Sequence, residues 1–166
     1  MPNFRNIAFV VTKPLQIMVA MTLFKKNIKD CIVTMYIVNS FYDSIETKRR
    51  LAKTYHDEMN FVSVKSKKEA YLQIAKCFYN EIYIDSDVGF KNFIILTTLK
   101  IFNPSLIINV YEEGAGPYSK DLYENEQFRK KLLGLFRLST FFGGYVFTSN
   151  LFLYRPEEFP NKIQIG

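Results

Sequence analysis

Residues 7–11 form a short, unbroken apolar run (Ile7, Ala8, Phe9, Val10, Val11), the pattern of a strand buried on both faces. Thr12-Lys13-Pro14 ends it, and Pro14 suits the first turn of a helix. Leu15, Met18, Val19, Thr22 and Leu23 then recur at helical spacing up to a basic end at Lys25-Lys26. The scheme repeats. Residues 31–38 are β-branched and apolar, a loop with Asn39, Ser40, Asp43 and Ser44 follows, and residues 45–55 read as a charged helix. A third strand is expected at 61–64, and a third helix at 67–79 with Ala70, Ile74 and Phe78 on one side. Residues 81–85 make a fourth strand, 86–89 a loop, and 90–102 a markedly apolar helix stopped by Asn103-Pro104. The fifth strand covers 105–111 and runs into Glu112-Glu113-Gly114-Ala115-Gly116-Pro117-Tyr118.

Five strands alternating with helices predict an α/β fold, a Rossmann-like parallel sheet of about five or more strands with helices on both faces. Short right-handed connections place all strand ends at one sheet edge. Ligands of such sheets bind outside those carboxyl ends, where residues 12–16, 40–44, 85–89 and 112–118 would lie. Beyond Tyr118 the pattern changes. A helix is expected over 125–142 with Phe128, Leu132, Leu135 and Phe136 on its apolar side, then extended segments at 145–148 and 151–154. Residues 1–154 read as one domain and the Pro-punctuated 155–166 as an exit linker. Tyr71, Phe78, Phe90, Phe93, Phe102 and Phe128 fall at helical spacings and are expected in the core.

Composition narrows the chemistry. At 166 residues the chain is too short for a complete two-domain transferase or dehydrogenase. Its net charge of +6 favours anionic partners such as nucleotide-sugars, nucleic acid or an anionic membrane face, although the basic clusters fall mostly on helices, where solvated faces are the favoured account of them. Cys31 and Cys77 lie far apart in apolar surroundings and are expected to be buried free thiols. A lone His56, expected at the surface, cannot build a histidine metal cluster. No apolar run is long enough to span a membrane and the start is not a signal peptide, so a cytoplasmic location is expected.

Glu112 and Glu113 end an apolar strand, and Gly114 and Gly116 allow a tight turn and close backbone approach. A partly desolvated carboxylate there would suit a general base on a sugar hydroxyl; a solvated acidic turn fits the same pattern. Asp85 and Asp87 form a second acidic loop, able to hydrogen-bond a polyol, to help hold a divalent ion or to cap the next helix, capping being the favoured role. Residues 12–16 lack the glycines of either phosphate-loop pattern, and no serine or cysteine hydrolase arrangement is present.

Three segments carry a family resemblance. Thr12-Lys13-Pro14-Leu15-Gln16 after the first strand resembles the start of bacterial lipooligosaccharide sialyltransferases, where a Pro and a Gln open the first helix. Tyr111-Glu112-Glu113-Gly114 resembles the acidic-acidic-Gly motif of bacterial sialyl- and polysialyltransferases. Phe152-Leu153-Tyr154-Arg155-Pro156-Glu157 is similar to the segment by which these enzymes leave their first domain. The resemblance implies the N-terminal half of a GT-B-like enzyme that transfers sialic acid from CMP-sialic acid to a surface glycan with inversion, needing no metal or other cofactor. Glu112 would be the base on the acceptor hydroxyl, Glu113 the fallback, and Gly114 the turn that aims the carboxylate. Thr12, Pro14, Gln16, Asp85, Asp87, Gly116 and Tyr118 would line the substrate side. The His-Pro motif of the family's second domain is absent here, so the chain is expected to be the acceptor half, inactive alone, binding the donor only with a second domain and touching the inner membrane face peripherally. The competing expectation is a non-catalytic basic α/β domain that engages nucleic acid or a protein partner; nucleic acid is disfavoured because no RNA-binding or zinc-finger motif accompanies the charge.

Overall fold

A computed structural model describes residues 5–27, 31–112, 114, 118, 122, 126–135 and 138–158. Their elements run β1 (Arg5–Val11), α1 (Pro14–Asn27), β2 (Cys31–Val38), α2 (Ser44–Thr54), β3 (Asn60–Val64), α3 (Lys67–Lys76), β4 (Glu81–Ile84), α4 (Phe90–Phe102), β5 (Ile107–Tyr111), α5 (Gln127–Leu135) and β6 (Thr148–Phe152). A short 3-10 turn follows at Pro156–Glu158.

The strands form one sheet in the order β3-β2-β1-β4-β5-β6, and every neighbouring pair is parallel. This is the Rossmann-like α/β arrangement that the alternating pattern predicts. Alternation along β1 shows why both faces are covered. Ile7, Phe9 and Val11 pack with Ile17, Val19 and Ala20 of α1 and with Leu51 of α2. Ala8 and Val10 pack with Ala70 and Ile74 of α3 and with Leu96 and Leu99 of α4. Successive connections turn away from each other between β1 and β4, which makes that gap the switch point of the sheet.

The C-terminal third departs from expectation. The two extended segments at 145–148 and 151–154 resolve into one edge strand, β6, which pairs with β5 across a register irregularity at Ile108/Asn109. Within 125–142, α5 covers only Gln127–Leu135, and it is turned about its axis. Leu133 is buried with Leu138, whereas Phe128 and Leu135 face solvent; Leu132 and Phe136 lie outside the described side chains. Likewise α3 ends at Lys76, because Cys77 is extended (φ −108°, ψ 107°). The helical register breaks there, Phe78 becomes 77% exposed, and Tyr79 takes the core position. The Tyr79 hydroxyl meets that of Tyr36 at 3.0 Å.

Two further expectations are corrected. Of the six aromatics expected in the core, Tyr71 is buried and Phe93 packs against it, but Phe78, Phe90, Phe102 and Phe128 are exposed. The outward stripe of α4 is itself apolar, so helical spacing alone does not say which stripe faces in. Neither cysteine forms a disulfide, yet Cys31 is only half-buried at the start of β2 and Cys77 is exposed past the end of α3. His56 is at the surface beside Asp57.

Candidate functional site

Three groups of predicted residues meet at or near the carboxyl edge, each with a different chemistry. The first fills the switch point. Gln16, on the first turn of α1, is fully buried and folds back over the end of β1. Its Oε1 accepts from the backbone N–H and, at 3.1 Å, from the hydroxyl of Thr12. Its Nε2 donates to Oδ2 of Asp85 at 3.0 Å, just past β4. Lys67, at the start of α3, reaches both oxygens of Asp85 at 2.6 and 2.7 Å. Ser40, beyond β2, donates to the Thr12 carbonyl at 2.7 Å. In a dinucleotide-binding fold the equivalent backbone N–H would meet a phosphate; here the protein's own amide takes it. Pro14 opens α1 as expected and is exposed.

The second group is an internal anchor. Asp87 is 2% exposed and accepts from the N–H of Gly143 (3.0 Å), the N–H of Tyr145 (3.1 Å) and the hydroxyl of Thr148 (2.7 Å). Burial pushes its carboxyl above the ordinary carboxylate range, and the three donors only partly oppose that shift. The helix-capping role favoured for this loop is corrected: the N-cap of α4 is Gly89, without a side-chain cap bond. Ser86 instead accepts from Val88 N–H, and Asn92 donates to the Ser86 and Val88 carbonyls.

The third group is centred on Glu112. β5 delivers it as the first residue past the strand, and its N–H donates to the Phe152 carbonyl at 2.8 Å, continuing the β5–β6 ladder. The side chain is 7% exposed. Oε2 accepts from the Tyr118 hydroxyl at 2.5 Å and the Tyr154 N–H at 2.6 Å, while Oε1 has no hydrogen-bond partner among the described residues. Tyr118 also accepts from Arg155 N–H at 3.0 Å, so the hydroxyl joins Glu112 to the chain leaving β6. Partial burial and the Glu112 hydrogen bond push the Tyr118 phenol above its ordinary value. Gly114 has φ +69° with open space where a Cβ would stand, so backbone conformation, not crowding, selects glycine. Glu113 and Gly116 lie outside the described residues.

A cleft of about 130 Å³ opens beside this carboxylate, bounded by Val19, Thr22 and Leu23 of α1 and by Phe152, Leu153 and Tyr154 at the end of β6. The sequence pattern singled out Glu112 and Tyr118 but neither wall of the cleft. Val19 and Leu23 read as ordinary core positions of α1, and Tyr154 contributes through its backbone, which carries no residue signal. Lys67 belongs to a basic cluster that the pattern assigned to a solvated face; its carboxylate partner lies 18 positions away in sequence. Among the described residues no group of three or more His, Cys, Asp or Glu side chains is placed to hold a metal ion, and no helix is long and apolar enough to cross a membrane.

No family model matches this chain, and no curated protein sequence matches it.

Proposed function

We propose that the chain is the acceptor-side, catalytic-base domain of a sialyltransferase-like glycosyltransferase. The observation that carries this reading is the state of Glu112. A buried carboxylate at the carboxyl end of β5 is held through one oxygen, while the other lacks a partner among the described residues at the wall of a cleft. A general base needs its carboxylate oriented before reaction and one oxygen within hydrogen-bond reach of the hydroxyl it deprotonates. Tyr118 and the Tyr154 N–H supply the orientation, and removal of the acceptor proton by Glu112 Oε1 would let the acceptor oxygen displace CMP from the anomeric carbon with inversion. Donor binding and assistance to the departing CMP belong to a second domain in this reading. The Gln16-filled switch point agrees with that division, since the position where a nucleotide phosphate would meet Thr12 N–H is taken.

The test has two parts. In the isolated chain, β-galactosides should shift NMR resonances around Glu112 and Tyr154, while CMP-sialic acid should leave the switch-point residues unmoved. Expressed together with a His-Pro-containing donor domain, the chain should support CMP release, and Glu112→Gln should lower the rate by about 10²–10⁴-fold. Sialyl transfer by the 166-residue chain alone, or an undiminished rate in Glu112→Gln, overturns the proposal.

One observation favours a non-catalytic second reading. A cleft of about 190 Å³ between α3 and α4, lined by Leu72, Ile94, Leu99 and Phe102, belongs to an exposed apolar face that suits a protein partner better than nucleic acid. Loss of partner binding in Phe102→Ser, with Glu112→Gln silent in every assay, would support it.

A further inference from the structure

We infer that the cleft beside Glu112 is a subsite for an apolar group about the size of a phenyl ring, so that the ligands it selects are glycosides with an apolar aglycone. Identifying the sugar hydroxyl as the group that meets Glu112 rests on the acceptor reading above; the apolar subsite itself rests on the cleft.

Size sets the first limit. Apolar cavities of about 150 Å³ take up benzene, and a cleft of about 130 Å³ accommodates one ring or a short alkyl chain, not an oligosaccharide. Lining sets the second. Val19, Leu23, Phe152 and Leu153 present hydrocarbon, and the Thr22 hydroxyl is committed to the Met18 carbonyl at 2.9 Å. The Tyr154 N–H is taken by Glu112. A bare sugar would bury several hydroxyls here against hydrocarbon, at a cost that unmade hydrogen bonds do not return. Of the lining side chains with a polar atom not yet committed, Glu112 offers a carboxylate, an acceptor that calls for a hydroxyl donor, and Tyr154 an exposed phenol.

The shape therefore asks for two features in one molecule: an apolar body in the cleft and an O–H at its wall. The larger α3–α4 cleft is a built-in comparison. It is also apolar, but no carboxylate is among its lining residues. A compound that merely seeks hydrocarbon would go there at least as well.

Phenyl β-D-galactoside, methyl β-D-galactoside and benzyl alcohol are titrated into the intact 166-residue chain with methyl and amide NMR detection. The expected result is that the phenyl galactoside binds about tenfold or more tighter than the methyl galactoside. Its shifts should centre on Val19, Leu23 and Leu153. Thr22→Phe should fill the cleft from an exposed helix position and remove the difference, and Leu23→Phe should do so independently, each with an otherwise unchanged spectrum. Equal affinity of the two galactosides, with shifts around Glu112, overturns the subsite but leaves the acceptor reading standing. Benzyl alcohol in the cleft with neither galactoside bound supports the subsite and counts against the acceptor reading. Shifts centred on Leu72 and Ile94, or no binding by any of the three compounds, overturn the inference.

Discussion

Tyr118 donates its hydroxyl proton to Oε2 of Glu112 at 2.5 Å, and the same oxygen atom of Tyr118 accepts from Arg155 N–H. One phenol thus fixes the carboxylate and tells it where the chain after β6 lies. The phenol is held above its ordinary value by partial burial and then by Glu112. Removing the negative charge while keeping the acceptor should reverse part of that shift. In Glu112→Gln the Tyr118 ring carbon bearing oxygen should titrate at lower pH than in the wild type, measured by ¹³C NMR of labelled tyrosine. An unchanged or higher midpoint would show that Glu112 does not act on Tyr118.

At the switch point, Lys67 and Asp85 form an ion pair whose carboxylate is nearly buried and whose ammonium is about one-third exposed. Removing the cation leaves Asp85 with Gln16 as its other side-chain donor. Lys67→Met should therefore cost about 3 kcal/mol of unfolding free energy, and Lys67→Met combined with Asp85→Asn should cost less than Lys67→Met alone. Urea denaturation of the single and double variants measures the coupling; strictly additive losses would show that the pair is not a unit.

Asp87 should leave a signature in the pH dependence. Burial raises its folded-state value, so over the acid range the folded protein binds the proton more tightly than the unfolded chain does. The stability it contributes is fully present below the unfolded value and declines as pH rises through the raised folded value. Asp87→Ala leaves the N–H groups of Gly143 and Tyr145 without their acceptor, which should cost about 2 kcal/mol near neutrality. The gap to the wild type should widen as pH falls from neutrality through the raised folded value of Asp87 and level off below about pH 4, the ordinary carboxylate range. Parallel urea curves at neutral and acid pH check the sign: a gap that narrows with acid would contradict it.

The alkaline limb should be set by phenols. Tyr36 and Tyr83 are raised first by burial and then by their partners Tyr79 and Glu81, and Tyr71 by burial and then Asp85. An unfolded tyrosine ionises near pH 10, so above that pH the unfolded state binds fewer protons and stability falls as pH climbs. Replacing Tyr36 and Tyr71 together by Phe should flatten that fall, as followed by circular dichroism in urea at several alkaline pH values.

How far the pattern reached is clearest in adjacent elements. The apolar helix at Phe90–Phe102 is read to its last residue, because Gly89 and Asn103-Pro104 punctuate both ends. The inner strands β1, β2, β4 and β5 are legible because their runs of apolar residues are buried on both faces and leave little polar phase to misplace. Past Tyr118 this fails. Residues 141–142 read as the end of a helix and 145–148 as strand, yet Asp87, 56 to 61 positions earlier, binds Gly143, Tyr145 and Thr148, so a distant carboxylate fixes that segment. At the candidate site the acidic side chains and Tyr118 are legible by residue type. The backbone donor of Tyr154 and the inner stripe of α1 are not, since they act through position.

The docking of β6 also governs how Asp87 loses its water. β6 joins from the far side of a long excursion after β5, and until residues 143–152 dock, β5 is a bare edge with Ile108 and Val110 on it. During that interval Asp87 lacks the three donors that β6 and its approach supply, and its charge stays hydrated. Docking the last strand and dehydrating this carboxylate are therefore one event. A chain with β6 undocked exposes a strand edge that another chain can pair with, so the buried aspartate works as a latch that keeps the β5 edge covered.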